Sequence, residues 1–435
     1  MEQYRVEARC IAFLVVFLFS FRAVFAVEQP FIPKNPKWRN SHITLTLSRS
    51  LDSSSTIQAD LSKVVRRSLS AWSVPTNITF DLADSELQSV SPKGNQGDGI
   101  SLITVAVTPE NLKLFPRQGA SAAAVTRVFT DSRGYITEAD IVLNPFVRFS
   151  TDGAYDTFDL QDTLTHEIGH LLGLEHLPVW GSMMYERGAR SLGPSSFRGS
   201  RNDLPKVDAS SIKGLYGPRP EEVRCCGAIV GRVVGGKPGS PVLIWIEEFE
   251  TGRLIAATVP DLDGSYRLEG IPEGEFSIHA SSESRSNEFA SDTSKISVAI
   301  AEETRRNFAL RYLRSGMSVQ MIGTSLQLGR LPIDLTPSSQ GLFLGFNGDL
   351  SAVNRVIATG GGLGFEAKTI SDNLPRFSSV KVVGFDMTIQ PDQPKGEYTL
   401  VIEGSAGVRQ YIVGSLIIRE PAESRSHHCP KAIRL

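Results

Sequence analysis

The sequence predicts a multidomain chain: an α+β domain built on a mixed five-stranded sheet with helices, followed by two all-β sandwich domains. Three observations carry this. The length of 435 residues exceeds what one hydrophobic core ordinarily supports. In the first half, strand-like alternation gives way twice to apolar residues at helical spacing. Past residue 225 the helical spacing stops. Short β-rich runs follow, broken by turns, in a chain that holds 38 Gly and 24 Pro.

The first 26 residues read as a targeting segment. A weakly basic start leads into CIAFLVVFLFSF, an apolar run too short to span a bilayer well. AVFA then places Ala26 at a cleavage position, with Val24 two before it. The expectation is a signal peptide over 1–26, no membrane span after its removal, and a secreted or cell-surface location; the alternative is an uncleaved anchor. The α+β domain is expected over 27–222, the sandwiches over 225–312 and 313–420, and a flexible polar tail over 421–435. A net charge of −2 argues against nucleic acid or an anionic membrane as main partner.

Within the first domain, HITLTL alternates as a half-buried strand should. Ile57, Leu61, Val64, Val65, Leu69 and Trp72 then fall at helical spacing, with Lys63, Arg66 and Arg67 opposite, so a helix packs on a sheet. NITFDL is a second strand. ISLITVAV is a third, apolar enough to be covered on both faces. ASAAAVTRVF and ITEADIVLN, joined by TDSRG, are the fourth and fifth. A second helix follows, capped by Asp159 with Asp162 three residues on, and burying Leu164, Ile168, Leu171 and Leu172. VDASSIKGLYG reads as a short helix capped by Asp208 and stopped by Gly217 and Pro218, and PRPEEVR as a linker.

The chemistry sits in HEIGHLLGLEH, which holds three of the chain's seven histidines. His166 and His170 are four apart, hence on one helical face a turn apart. Two imidazoles so placed can share a Zn²⁺ and leave room for a third ligand and a water. Glu167 can reach that water and act as a base. A continued helix would carry His176 past the metal; Gly173 lets the chain leave the helix through φ > 0 and return His176 as third ligand. The plainer reading of H-E-x-x-H is a solvated helical face, and the added Gly173 and His176 argue against it.

This extended motif resembles that of the metzincin zinc metalloproteases. The chain looks most like their matrixin branch (peptidase M10 type), on SAWSVPTNITF, EADIVLN, Met184-Tyr185 and IKGLYG. The resemblance implies that His166, His170 and His176 bind catalytic zinc. It implies Glu167 as general base and as acid towards the leaving group. Met184 would form the floor under the metal, and Tyr185 would shape the substrate pocket. The strand 120–128 would line the cleft and pair with an extended protein or peptide substrate. Either Met183 or Met184 could be the turn methionine; Met184 fits the matrixin spacing. Leu177 and Glu186 depart from the family pattern. With no cysteine over 27–224, a cysteine switch is absent, and with no histidine between His42 and His166, so is a second, His-rich zinc site. Asp131, Glu138 and Asp140 could bind Ca²⁺, but an ordinary turn and strand explain them better.

GAIVGRVV and DLDGSYRLEGIPEGEFSIHA resemble the carboxypeptidase regulatory-like β-sandwich, and the last domain resembles an immunoglobulin-like module in general pattern. Their expected role is to hold, space or bind a cell-surface or matrix ligand. His42 and His279 read as structural, HHC at 427–429 as solvated, DLDGSY as a strand-connecting turn and GGGLGF as a loop. Cys225 and Cys226 can pair with each other or with Cys429. The function expected is a secreted zinc-dependent endopeptidase. The competing one is a catalytically silent metzincin-like adhesion or binding protein at the cell surface.

Overall fold

The computed structural model describes residues 36–419 apart from 53, 59, 95, 116–121, 187–203, 221–224, 238, 284–287, 315–316, 325–326, 330–331, 336–339, 349–352, 360–362, 372–380, 391 and 405–406. The expected targeting segment, the polar tail and Cys429 lie outside the described residues. Among the described residues no helix is long and apolar enough to cross a membrane.

The N-terminal region runs β1 Lys37–Trp38, β2 His42–Ser48, β3 Ile57–Gln58, α1 Leu61–Ser73, β4 Thr79–Ser85, β5 Ser101–Thr104, α2 Pro109–Leu112, β6 Ala124–Thr130, β7 Tyr135–Leu143, β8 Phe149–Ser150, β9 Phe158–Asp159, α3 Leu160–Leu171 and α4 Lys206–Tyr216. Its main sheet has the order β1-β7-β5-β2-β4, with β6 on the other side of β7. The five expected strands are all present, and the two-residue β1 adds a sixth. Only β6 runs antiparallel, so the sheet is mixed and β6 is its edge.

Two expected boundaries move for local reasons. The apolar periodicity includes Ile57, but Asp60 accepts from the Lys63 amide at 3.1 Å and starts α1 there; Ile57 pairs with Phe149 instead. The third strand stops at Thr104 because hydroxyls take the next amides: Ser50 Oγ accepts from Val105 N and Thr104 Oγ1 from Ala106 N. In α1, Val64, Val65, Leu69 and Trp72 are buried, as their spacing requires. They face α3, where the Trp72 indole donates to the Thr165 carbonyl at 2.8 Å.

The next strands are β10 Cys226–Val234, β11 Val242–Glu248, β12 Leu254–Thr258, β13 Ser265–Pro272, β14 Gly274–Glu283, β15 Glu288–Val298, β16 Glu303–Arg305, β17 Phe308–Ala309 and β18 Leu313–Arg314. They form one sheet of order β13-β10-β16, with β17 also on β10, and another of order β12-β11-β14-β15-β18. Then come β19 Met317–Thr324, β20 Gln327–Gly329, β21 Ile333–Leu335, β22 Gln340–Gly348, β23 Val353–Ala358, β24 Leu363–Ser371, β25 Lys381–Ile389, β26 Gly396–Gly404 and β27 Arg409–Ile418. These give sheets of order β20-β19-β22-β25-β24 and β21-β27-β26-β23. Cys225 and Cys226 form a disulfide with each other.

The regions are not strung out on linkers. Leu243, Trp245, Leu254, Ala257 and Val413 join the same apolar cluster as Leu164, Ile168 and Met184. The Ser210 hydroxyl of α4 donates to Glu269 O at 2.9 Å, and Trp180 N to Val413 O at 2.9 Å.

Candidate metal centre

The site is built on α3. Asp159 accepts from the Asp162 amide at 2.8 Å and fixes its start. Leu164, Ile168, Leu171 and Leu172 turn inward and are fully buried. The helix ends at Gly173, whose φ is +92°. Gly173 N donates to His170 O and Leu174 N to Gly169 O, both at 2.9 Å, closing a Schellman turn. A Cβ at Gly173 would lie 1.7 Å from the Pro36 carbonyl oxygen, so both dihedral and space demand glycine here.

That turn brings His176 back. The Nε2 atoms of His166, His170 and His176 lie 3.1, 3.2 and 3.3 Å from one another. The His166 Nδ1–H donates to Met183 O at 2.7 Å and the His170 Nδ1–H to Leu174 O at 2.8 Å. With Nδ1 protonated, Nε2 carries only a lone pair. The His166 and His170 Nε2 atoms are therefore two converging acceptors, which repel each other unless a donor or a cation faces both, and His176 Nε2 closes the triangle. Tetrahedral zinc with Zn–N bonds of about 2.0–2.1 Å separates its ligand nitrogens by about 3.3 Å, so the donor set and its spacing fit that ion. Burial holds the His166 imidazole down at about 4 and that of His170 at about 3, so both are neutral ligands near pH 7. Among the described residues these three histidines form the one cluster of side chains able to share a metal.

Glu167 is 6% exposed. Burial raises its carboxyl to about 7, against the opposing pull of a hydrogen bond from Thr126. The Thr126 hydroxyl lies 2.5 Å from Glu167 Oε2 and 3.1 Å from Glu167 O. It can donate to only one, and the nearer carboxylate oxygen is the better acceptor. Thr126 belongs to β6, so the edge strand positions the carboxylate. Nothing in the spacing of HEIGHLLGLEH pointed to it.

The methionine under the helix is Met184. It is 1% exposed, and a Cβ at Gly169 would lie 2.2 Å from its sulfur and 2.9 Å from the Trp72 ring. Gly169 is thus the gap through which the thioether reaches α3 between the first two histidines. A glycine inside a helix costs about 1 kcal/mol relative to alanine, which is the signal that could have exposed this role. Met183 contributes its carbonyl to His166. Leu177 is buried, and its amide donates to Met184 O at 2.8 Å, tying the third-histidine loop to the methionine turn. Tyr185 is half-buried with its ring centroid 6.2 Å from that of Trp180.

Asp208 does not cap α4. The cap position is Pro205, and Asp208 lies inside the first turn, fully buried. Its Oδ1 accepts from Ser182 Oγ at 2.6 Å and Met184 N at 3.3 Å, its Oδ2 from Met183 N at 2.7 Å. An acidic residue near a helix start reads as a cap; here the same carboxylate clamps the methionine turn instead.

Asp131, Glu138 and Asp140 have amide partners within the chain, while the buried Glu138 Oε1 has no hydrogen-bond partner. Asp131 Oδ1 accepts from the amides of Arg133 and Tyr135, and Asp140 from those of Ser91 and Leu102. Glu138 accepts from Gly99 N at 2.6 Å. Burial, with lesser help from Glu138 and Asp98, raises Asp140 to about 7.

Three imidazoles around a common point, with a buried carboxylate next to the first, are able to share one metal ion with a base beside it. Sequence comparison then narrows the class: residues 117–217, from just before β6 to the end of α4, match the matrixin peptidase family model. Metalloendoproteinase 1-MMP of Arabidopsis thaliana is 30% identical over 196 residues, covering 43% of this chain and 46% of that protein. Matrix metalloproteinase-20 of Homo sapiens is 26% identical over 190 residues, covering 43% and 34%. The chain thus spans less than half the length of either relative. Among solved structures, the major pilin subunit of Bacillus cereus overlaps 45% of this chain and 69% of its own at 10% identity, but with a TM-score of 0.18 this carries no argument.

Proposed function

We propose that this chain is an exported zinc endopeptidase that hydrolyses internal peptide bonds. The observation that carries the reading is the convergence of three Nε2 atoms within 3.3 Å, two of them with Nδ1 committed to a carbonyl. His166, His170 and His176 would hold the ion. Zinc bound there would supply a water of lowered pKa and polarise the scissile carbonyl. Glu167 takes the proton of the attacking water on its carboxylate and passes it to the departing amide nitrogen. Met184 backs the ligand helix, and Asp208 fixes the turn that presents it. The open side of β6 receives the substrate as an added antiparallel strand; among the described residues no strand pairs there. Tyr185 borders the substrate pocket.

The two β regions are read as a carboxypeptidase regulatory-like sandwich and an immunoglobulin-like sandwich that bind a surface or matrix ligand. The N-terminal segment is read as a signal for secretion. The test is metal content and hydrolysis of an unfolded protein by the purified chain, with and without chelator, beside Glu167→Ala. Bound zinc, chelator-sensitive cleavage and a silent, zinc-loaded variant are expected. A chain without zinc, or a variant as active as the parent, overturns the reading and favours the adhesion alternative.

A further inference from the structure

The loop that carries His176 faces the first β-sandwich. Between them lies a cleft of about 200 Å³ lined by His176, Leu177 and Leu215 on one side and by Val259, Asp261 and Leu268 on the other. Ligand sites for whole small molecules usually run to about 300–1,000 Å³, so this space suits one side chain. Its opposite wall is held in fixed relation to the metal ligands by α4. One face of that helix clamps the methionine turn through Asp208, and the other meets β12 and β13 through Ser210 and Ser211, which donate to Glu269 O and Ala257 O. Leu177, Ala257 and Met184 belong to one apolar cluster, so the floor is continuous across the two regions.

The charge at the rim has a sign. Glu175 and Asp261 are exposed carboxylates, one on the histidine loop and one on the β12–β13 turn. Arg267 also lines the cleft, but it is already paired with Glu269 and Glu303. An entering carboxylate would meet uncompensated negative charge, whereas an apolar side chain would meet leucines.

We infer that this cleft is a subsite for the scissile polypeptide, taking an apolar substrate side chain and rejecting an acidic one, with Val259 and Asp261 as specificity-determining residues. The inference rests on the peptidase reading above. It makes the sandwich part of the substrate cleft and not only a spacer.

The test uses the full chain and a peptide library varied at each position flanking the cut. Val259→Trp fills the cleft. It should lower kcat/KM at least about tenfold for peptides with Leu, Met or Phe at one position, and leave the Gly and Ala peptides unchanged. Asp261→Lys should raise kcat/KM about tenfold for peptides carrying Glu at that same position. Thr258→Tyr serves if Val259→Trp fails to fold. Identical profiles for parent and variants, all zinc-loaded, overturn the inference. If the parent holds no zinc or cuts nothing, the peptidase reading fails instead. Calorimetric binding of the Leu and Glu peptides to Glu167→Ala, with and without Val259→Trp, then decides the cleft: unchanged binding sinks it, and selective loss of the Leu peptide sustains it.

Discussion

Among the described residues, two histidine–carboxylate neighbourhoods behave as opposites. At the candidate metal centre, the Nε2 atoms of His166, His170 and His176 converge to within 3.3 Å of one another. In the β region that follows, His279 is 5% exposed and stacks on Trp245 at 4.9 Å, 11° from parallel. Its Nδ1 lies 2.9 Å from Thr293 Oγ1, and its Nε2 3.4 Å from Glu247 Oε2, an ion-pair distance without hydrogen-bond alignment. Glu247 is itself bound by the Trp245 indole at 2.9 Å and the Thr399 hydroxyl at 2.5 Å. A nearby carboxylate is common to both places. What separates them is convergence: three Nε2 atoms meet around one point at the first, whereas the single His279 ring stacks on Trp245 between Thr293 and Glu247.

The sharpest test of that contrast is a pair of alanine variants. His170→Ala should lose zinc and all measurable hydrolysis. His279→Ala should keep both, while losing about 2–4 kcal/mol of stability from the vacated stack and the stranded carboxylate. Metal analysis and calorimetry on the two proteins check it, and loss of zinc from His279→Ala would dissolve the distinction. Acid should separate them too. The folded-state values of His166 and His170 lie below the ordinary 6.5, so their neutral forms stabilise the fold above that pH, and the contribution is lost as pH falls through about 4 and about 3. Glu167 and Asp140, held at about 7, gain stability over the same range, so the histidine contribution should show in apo thermal scans as a steeper loss between pH 6.5 and 4 in the parent than in His170→Ala.

The clamp on the methionine turn comes next in size. Asp208→Ala leaves the amide of Met183 and the hydroxyl of Ser182 without their buried acceptor, which should cost about 3 kcal/mol and weaken zinc retention. Unchanged melting would show that water or another group replaces the carboxylate. Gly169→Ala should cost less, about 1–3 kcal/mol, because the Met184 sulfur has to give way to the new methyl. Met184→Ala in the same chain should recover part of that loss if the clash is the cause.

The sequence made the ligand helix plain because its code is local. Asp159, the leucine stripe, the i, i+4 histidines and Gly173 all act within one helix and its exit turn. The same locality explains the misses. Ile57 continues a helical period by chance, and only the cap at Asp60 says where the helix starts. Asp208 sits where a cap would sit, while its true partners are some 25 residues upstream in the turn it clamps. Thr126 and Glu167 meet only because β6 folds over α3. The shared apolar cluster joining Leu164 to Trp245 and Val413 lies beyond any motif, since turns and strand spacing are local and carry nothing of what a region leans on.

Thr126→Val is expected to have the smallest effect, and its sign is definite. A hydroxyl donating to a carboxylate favours the ionised form, so Thr126 holds Glu167 lower than burial alone would. Valine keeps the shape and removes the donor. Burial is then less opposed, the Glu167 carboxyl rises further, and less of it is ionised at a given pH. The acid limb of kcat/KM should move to higher pH, with a loss of at most about tenfold at pH 6 and little at pH 9. Thr126→Ser should restore the parent profile, because the donor returns without the methyl. A zinc-loaded Thr126→Val enzyme that loses the same fraction of activity at every pH would instead mean that the threonine only supports the packing of β6 on α3. The edge strand would then have no part in setting the base.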